Sequence, residues 1–176
     1  MDIVYKYFQI SQDGSNINYP RLIHDFGLGV RNEPTEEARQ IFVKDTPIIE
    51  YTDFLEKPFL LISDAFKKAV NMYNPEYNCQ AVVLSEKGGD KQTVYWYIDL
   101  PSIKCFPETD RDVGSITKVK TLDKSKIYAD IAEGLSFFKF QEAATTSPVH
   151  IIRLDLAESV LRRNGIGFVL RGLESV

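Results

Sequence analysis

Residues 59–100 read FLLISDAFKKAVNMYNPEYNCQAVVLSEKGGDKQTVYWYIDL, and this stretch decides the fold class. FLLI (59–62) is a short apolar run of the kind that forms a buried strand. Ser63 or Asp64 follows as a helix cap. In DAFKKAVNMY (64–73), Ala65, Phe66, Ala69, Val70 and Tyr73 fall at helical spacing, with Lys67, Lys68 and Asn71 opposite. Pro75 ends the helix because it has no N–H to donate. CQAVVLSE (79–86) and QTVYWYIDL (92–100) then flank the glycine-rich KGGDK, which predicts a hairpin. Alternation in the returning strand sets Val94, Trp96 and Ile98 on one face and Tyr95 and Tyr97 on the other.

Towards the C-terminus, residues 101–115 carry two prolines and several acids and read as a loop. ITKVKTL (116–122) reads as an edge strand, since lysines discourage stray pairing. SFFKFQ (136–141) and VHIIRL (149–154) are further strands. DLAESVLRR (155–163) is a helix, with Asp155 and Glu158 spaced as a capping box and Gly165 placed as its left-handed stop. IGFVLRGL (166–173) is a last strand. The N-terminal 58 residues are less regular. Residues 2–10 alternate as a strand, 11–20 are turn-rich, PTEEARQIFV (34–43) starts like a helix, and PIIEY (47–51) reads as a short strand. FLLISDAFKKAV and HIIRLDLAESVL echo one another, each an apolar strand, a capping position and an amphipathic helix followed by another strand.

Strands outnumber helices, and hairpins join several of them. The expectation is one α+β domain over 1–176, with a mixed or mostly antiparallel sheet and two or three helices. The expected core comprises Phe66, Val70, Val83, Trp96, Ile98, Ile152, Leu161 and Val169. A chain of 176 residues buries enough surface to fold without staples.

Composition excludes several functions. The net charge of -4 and the lack of a Lys/Arg stripe argue against nucleic acid, whose phosphates need clustered cations. No run approaches the ~20 apolar residues of a membrane helix. The opening MDIVYKYFQI carries an acid and alternates, unlike a signal peptide. Only two cysteines are present, Cys79 and Cys105, and neither sits in a CxxC pair. Reduced thiols in a cytoplasmic protein are expected, with no disulfide and no metal.

No catalytic constellation stands out. His24 and His150 are the only histidines. His24 precedes Asp25, but neighbours on an extended segment point apart. His150 opens an apolar strand, where a structural role is the ordinary one. Gly27-Leu28-Gly29 lacks the third glycine of a dinucleotide loop, and Gly88-Gly89 belongs to the hairpin turn. No cofactor is expected.

Residues about 80–175 resemble the immunity-protein families of bacterial polymorphic toxin systems, formerly filed as domains of unknown function. The resemblance lies in TVYWYIDL (93–100), TKVKTLDKSKI (117–127), FFKF (137–140) and the closing HIIRLDLAESVLRRNGIGFVLRGLE (150–174). Hydrophobic pattern defines these families, not catalytic residues, so the resemblance carries over no active site. It implies a cytoplasmic protein that binds and neutralises a cognate toxin of its own cell. An acidic chain suits a basic toxin, because complementary potentials speed association. The expected contact residues are the acids Glu36, Glu37, Glu108, Asp110 and Asp112 and the tyrosines Tyr95 and Tyr97. An enzyme with a pocket formed only by the fold, and a general protein-interaction domain, remain open alternatives.

Overall fold

A computed structural model describes residues 6–23, 38–88, 90–113, 117–128, 130 and 134–176. The chain is mixed α and β, and mostly sheet. Its elements run β1 (Tyr7–Gln12), β2 (Arg39–Val43), β3 (Phe54–Leu55), β4 (Leu61–Ser63), α1 (Asp64–Tyr73), β5 (Cys79–Glu86) and β6 (Gln92–Ile98). They continue with β7 (Glu108–Val113), β8 (Thr117–Leu122), β9 (Lys126–Ile127), β10 (Phe137–Phe140), β11 (Val149–Arg153), α2 (Leu154–Arg162) and β12 (Phe168–Ser175). Instead of one sheet there are two five-stranded sheets, ordered β10-β11-β1-β12-β9 and β2-β5-β6-β4-β3, and a separate β7-β8 ribbon.

The two sheets are copies of one plan. Read as β3-β4-β6-β5-β2, the second matches the first position by position. In each, three neighbouring pairs are antiparallel and the last, β12·β9 or β5·β2, is parallel. In each, a helix links two strands that flank a third: β4-α1-β5 around β6, and β11-α2-β12 around β1. The chain order β2-β3-β4-α1-β5-β6 is repeated as β9-β10-β11-α2-β12, with β1 from the N-terminus taking the place of β6.

The registers extend this match to residues. Ile62 pairs with Trp96, and Ile152 with Phe8. Tyr7-Phe8 therefore corresponds to Tyr95-Trp96, Ile10 to Ile98, and Phe137-Phe138 to Phe54-Leu55. Both tyrosines are buried, and both Phe8 and Trp96 are partly buried against one shared cluster. The echo between the two strand–helix segments thus reflects a repeated unit. Its true register sets Ser63 against Arg153, one residue away from the sequence match.

The inner faces of the two sheets and both helices share the largest core cluster, which holds Phe54, Ile62, Phe66 and Val70 together with Ile10, Phe137, Ile152 and Val160. Each sheet also buries its outer face. Leu22, Tyr19, Ile49 and Tyr51 cover Leu61, Val82, Leu84 and Tyr95. Cys105, Phe106 and Leu122 cover Tyr7, Phe138 and Ile151. Non-helical segments do the covering, so alternation alone does not reveal that both faces of β6 carry buried residues.

Several expectations need correction on this ground. Tyr95 is buried in the core, and its hydroxyl donates to the Thr52 carbonyl at 2.5 Å. Trp96, expected as core, is half-buried; its Nε1 donates to Asp64, and Lys67 Nζ lies 3.1 Å from the ring centroid. Val83 is half-buried, while Val82 and Leu84 hold the phase of β5 that is buried under Tyr19, Leu22, Ile49 and Tyr51. Leu161 and Val169 are exposed, and Leu156, Ala157 and Val160 form the buried side of α2. Phe66, Val70, Ile98 and Ile152 are buried as expected.

Residues 39–43 form a strand, not the end of a helix. Ile41 and Val43 alternate inward while β2 pairs in parallel with β5. Residues 34–37 lie outside the described residues. PIIEY is irregular and serves as cover through Ile49 and Tyr51. Residues 108–113, expected as loop, form β7; Glu108 to Arg111 are all exposed, so no hydrophobic alternation marks the strand. Ser63 caps α1 by accepting from the Phe66 N–H at 3.1 Å, as expected. Asp155 does not cap α2 from outside. It sits in the first turn, bound to Arg153 and to the Leu156 N–H. The left-handed positions after α2 are Asn164 and Gly167, not Gly165.

The half-buried state of Trp96 sets an expectation. Trp96→Ala should cost about 1–3 kcal/mol, below the ~3–5 kcal/mol of a fully buried aromatic. Urea unfolding of this variant beside Tyr95→Ala checks the order. A larger loss for Trp96 than for Tyr95 would reverse the facial assignment.

Candidate functional site

The β7-β8 ribbon, with the segments around it, has no counterpart in the first repeat. Glu108, Thr109, Asp110 and Arg111 are exposed on β7, and Lys118, Val119 and Lys120 on β8. Polar strands survive here because each backbone pairs across the ribbon, while Thr109 and Thr121 exchange hydroxyl–carbonyl bonds. Beside the ribbon lies a groove of about 680 Å³ with an apolar floor of Phe106, Leu122, Tyr128 and Phe140. Phe106 and Phe140 meet edge to face at 5.0 Å. Lys104, Lys120 and Lys124 line it with Glu108 and Glu142. Val119 and Tyr128 are exposed apolar side chains of this region.

The seven expected contact residues do not form one patch. Glu36 and Glu37 lie outside the described residues. Glu108 and Asp110 are exposed on β7, and Asp112 belongs to the same strand. Their charge is balanced locally: Asp110 stands across from Lys120, and Lys120 Nζ lies 3.4 Å from Glu108. Tyr95 is buried and unavailable. Tyr97 is half-buried on the other sheet, edge-on to Phe59 at 6.1 Å. Tyr128 was missed, because DKSKIYAD offers no periodicity to mark it.

A second site lies where the two sheets meet. His150 is buried on β11, and its Nδ1 is 3.0 Å from Glu56 Oε1. Glu56 is itself fixed to Gln12: each backbone N–H donates to the other's side chain, at 3.2 and 2.9 Å. Phe54 stands edge-on to the imidazole at 5.9 Å. His150, Tyr97, Lys139 and Gln141 line a cavity of about 310 Å³ with apolar walls that include Leu60 and Leu100. Lys139 Nζ is held 3.2 Å from Asp99. Burial, with Asp99 nearby, raises the Tyr97 phenol above its usual range, so the group stays protonated. Nothing in sequence could signal this pair, since Glu56 lies 94 residues from His150.

The thiols are not activated. Burial pushes Cys105 up to about 12 and raises Cys79 as well, the reverse of a nucleophilic cysteine. Among the described residues, no group of three or more His, Cys, Asp or Glu is placed to hold a metal ion, and no helix is long and apolar enough to cross a membrane. The chain matches no model of a known protein family and no curated protein.

Proposed function

We propose that this chain is a non-catalytic immunity protein, a single cytoplasmic domain that neutralises a cognate bacterial toxin by binding it. The observation that supports the reading best is the ribbon. It stands outside the repeated frame, exposes both strands, and borders a groove with an aromatic floor. An apolar side chain of a partner would seat against Phe106, Phe140 and Tyr128, while Glu108, Asp110 and the ribbon lysines order the polar rim. Buried aromatic anchors with a charged rim are the usual anatomy of a tight interface. The ribbon's own charge is mixed, so steering of a basic toxin comes from the whole chain's net charge of -4.

Co-expression with the product of a neighbouring toxin gene is the test. Growth should be rescued, and a complex of fixed stoichiometry should purify. Tyr128→Ala should speed dissociation about 10–100-fold, as loss of an anchor does. Charge reversal at Glu108 and Asp110 should act mainly on the association rate and its salt dependence. Undiminished neutralisation by a chain carrying all three changes would remove the ribbon from the interface. Failure to rescue, or to bind, would remove the immunity reading.

A further inference from the structure

The repeated frame supplies an internal control for His150. Carried one residue beyond the paired ends of β3 and β4, the registers set Leu60 of the first repeat against His150 of the second, and Glu56 against Lys139. Leu60 is a buried member of the shared core. The fold is therefore satisfied by leucine at this position, and a buried imidazole there is an addition that packing does not demand. The imidazole is held there by Glu56, itself fixed to Gln12, and His150 also lines a cavity.

Lys139 and Tyr97 bring donors to the cavity; His150 gives its Nδ1–H to Glu56 and has a second N–H, at Nε2, only as the imidazolium. Lys139, His150, Tyr97 and Gln141 line it together. The carboxylates that hold the two basic side chains, Asp99 on Lys139 and Glu56 on His150, are not among its lining residues. Leu60, Leu100 and the neighbouring Phe59 make the rest apolar, and about 310 Å³ lies at the small end of ligand cavities. Among the described residues, no serine or cysteine lines the space, so no nucleophile completes the His150–Glu56 pair. Binding, not acyl transfer, is what these groups can do.

We infer that this cavity binds a small carboxylic acid with an apolar body, its carboxylate taken by Lys139 and the Tyr97 hydroxyl, and by His150 Nε2 when the imidazole carries both protons. The inference stands apart from the toxin reading, since the ribbon takes no part in it.

The full-length chain should be titrated with phenylacetate and with 2-phenylacetamide, followed by amide chemical shifts and calorimetry. Phenylacetate should bind saturably, with shifts at residues 59–60, 97–100 and 139–150. The uncharged amide should bind weaker by about tenfold or more, the loss of one charge-assisted hydrogen bond. His150→Leu, which restores the side chain of the other repeat, should melt cooperatively and lose the preference for the acid. Should that variant fail to fold, Lys139→Met carries the same test, because its side chain reaches the surface. A peptide ending in free phenylalanine, set against its C-terminal amide, separates a chain terminus from a free acid. Tighter binding of the free-ended peptide supports the same chemistry with a larger source. No saturable shift with either acid, equal affinity for acid and amide, or unchanged binding in both variants would overturn the inference. Tyr128→Ala should leave this binding unaltered, so failure here and failure of the ribbon interface are separate results.

Discussion

Phe66→Ala is expected to destabilise the chain by about 3–5 kcal/mol, the loss seen when a fully buried aromatic is cut back in a core that cannot collapse. Phe66 is buried on α1 and stands where the two repeats meet. Its ring lies 6.0 Å from Phe54 on β3, 5.7 Å from Phe137 on β10 and 6.1 Å from Phe168 on β12. Phe54 and Phe137 are equivalent residues of the two sheets, so one side chain of the first repeat touches both. Alanine would leave a void walled by three rings from three different strands, none able to move without lifting its own strand. Net stabilities of folded domains are only about 5–15 kcal/mol, so this one change would remove a large share. Phe66→Leu should recover most of the loss. Urea unfolding, with m compared between variants, measures it. A loss near that of an exposed site for Phe66→Ala would mean that the two sheets do not share their core.

The legible parts of the fold were those whose signals are local. Ser63 capping α1, the hairpin of β5 and β6, and the strands β10 and β11 depend on neighbours within a few residues, and the chain spells them out. β2 was misread because Glu36-Glu37 imitates a helix start, while the parallel pairing with β5 that wins there is some 40 residues distant. The Tyr95 face of β6 departs from its expected exposure for a related reason, while Ile98 on the opposite face is core as expected. Half-burial was assumed, but Leu61, Val82 and Tyr95 are roofed by Tyr19, Leu22, Ile49 and Tyr51, so aromatic residues could occupy either face. β8 reads as an edge strand in the sequence, but β7 does not, because Glu108 to Arg111 are all exposed. Burial is what writes a pattern into sequence, and segments exposed on both sides carry none.

The candidate sites were less legible than the fold. Glu108 and Asp110 are exposed on β7, the strand that also holds Asp112, yet Lys120, which reads in the sequence as the guard of an edge, stands across from Asp110 and 3.4 Å from Glu108. His150 was set aside as structural because no acid or nucleophile is near it in sequence. The repeat changes that argument. Once Leu60 is recognised as its counterpart, the imidazole has to be explained by something other than packing. The sequence echo held this information in outline, but at a register one residue out, which pairs His150 with Phe59 and hides the comparison.

Gly167→Ala should be the most damaging of the glycine substitutions, at about 2–5 kcal/mol. Gly167 has φ +85, where an L-residue loses roughly 1–2 kcal/mol. That much it shares with Gly88, at φ +84 in the hairpin turn. The difference is space. A Cβ on Gly88 meets nothing within 4 Å, whereas one on Gly167 would fall 2.2 Å from Thr52 Cβ. Thr52 is buried, and its carbonyl is the acceptor of the Tyr95 hydroxyl. The glycine cannot retreat either. Its own carbonyl accepts from the Asp13 N–H at 2.9 Å, and the adjoining Ile166 accepts from the Asp53 N–H and donates its own N–H to the Asp53 carboxylate, which also accepts from Ser63 Oγ. Moving the turn would loosen β1, the cap of α1 and the end of β12 together. Overpacking of this kind adds about 1–3 kcal/mol to the backbone cost. Gly88→Ala should therefore lose only the backbone part, and thermal midpoints of the two variants give the difference directly. The steric part has its own check. Thr52→Ala should not rescue Gly167→Ala, because the closest atom is the β-carbon that alanine keeps. Thr52→Gly should rescue it in part. Equal losses for Gly88→Ala and Gly167→Ala would show that the turn after α2 is free to move, and that the stitching through Asp53 does not hold it.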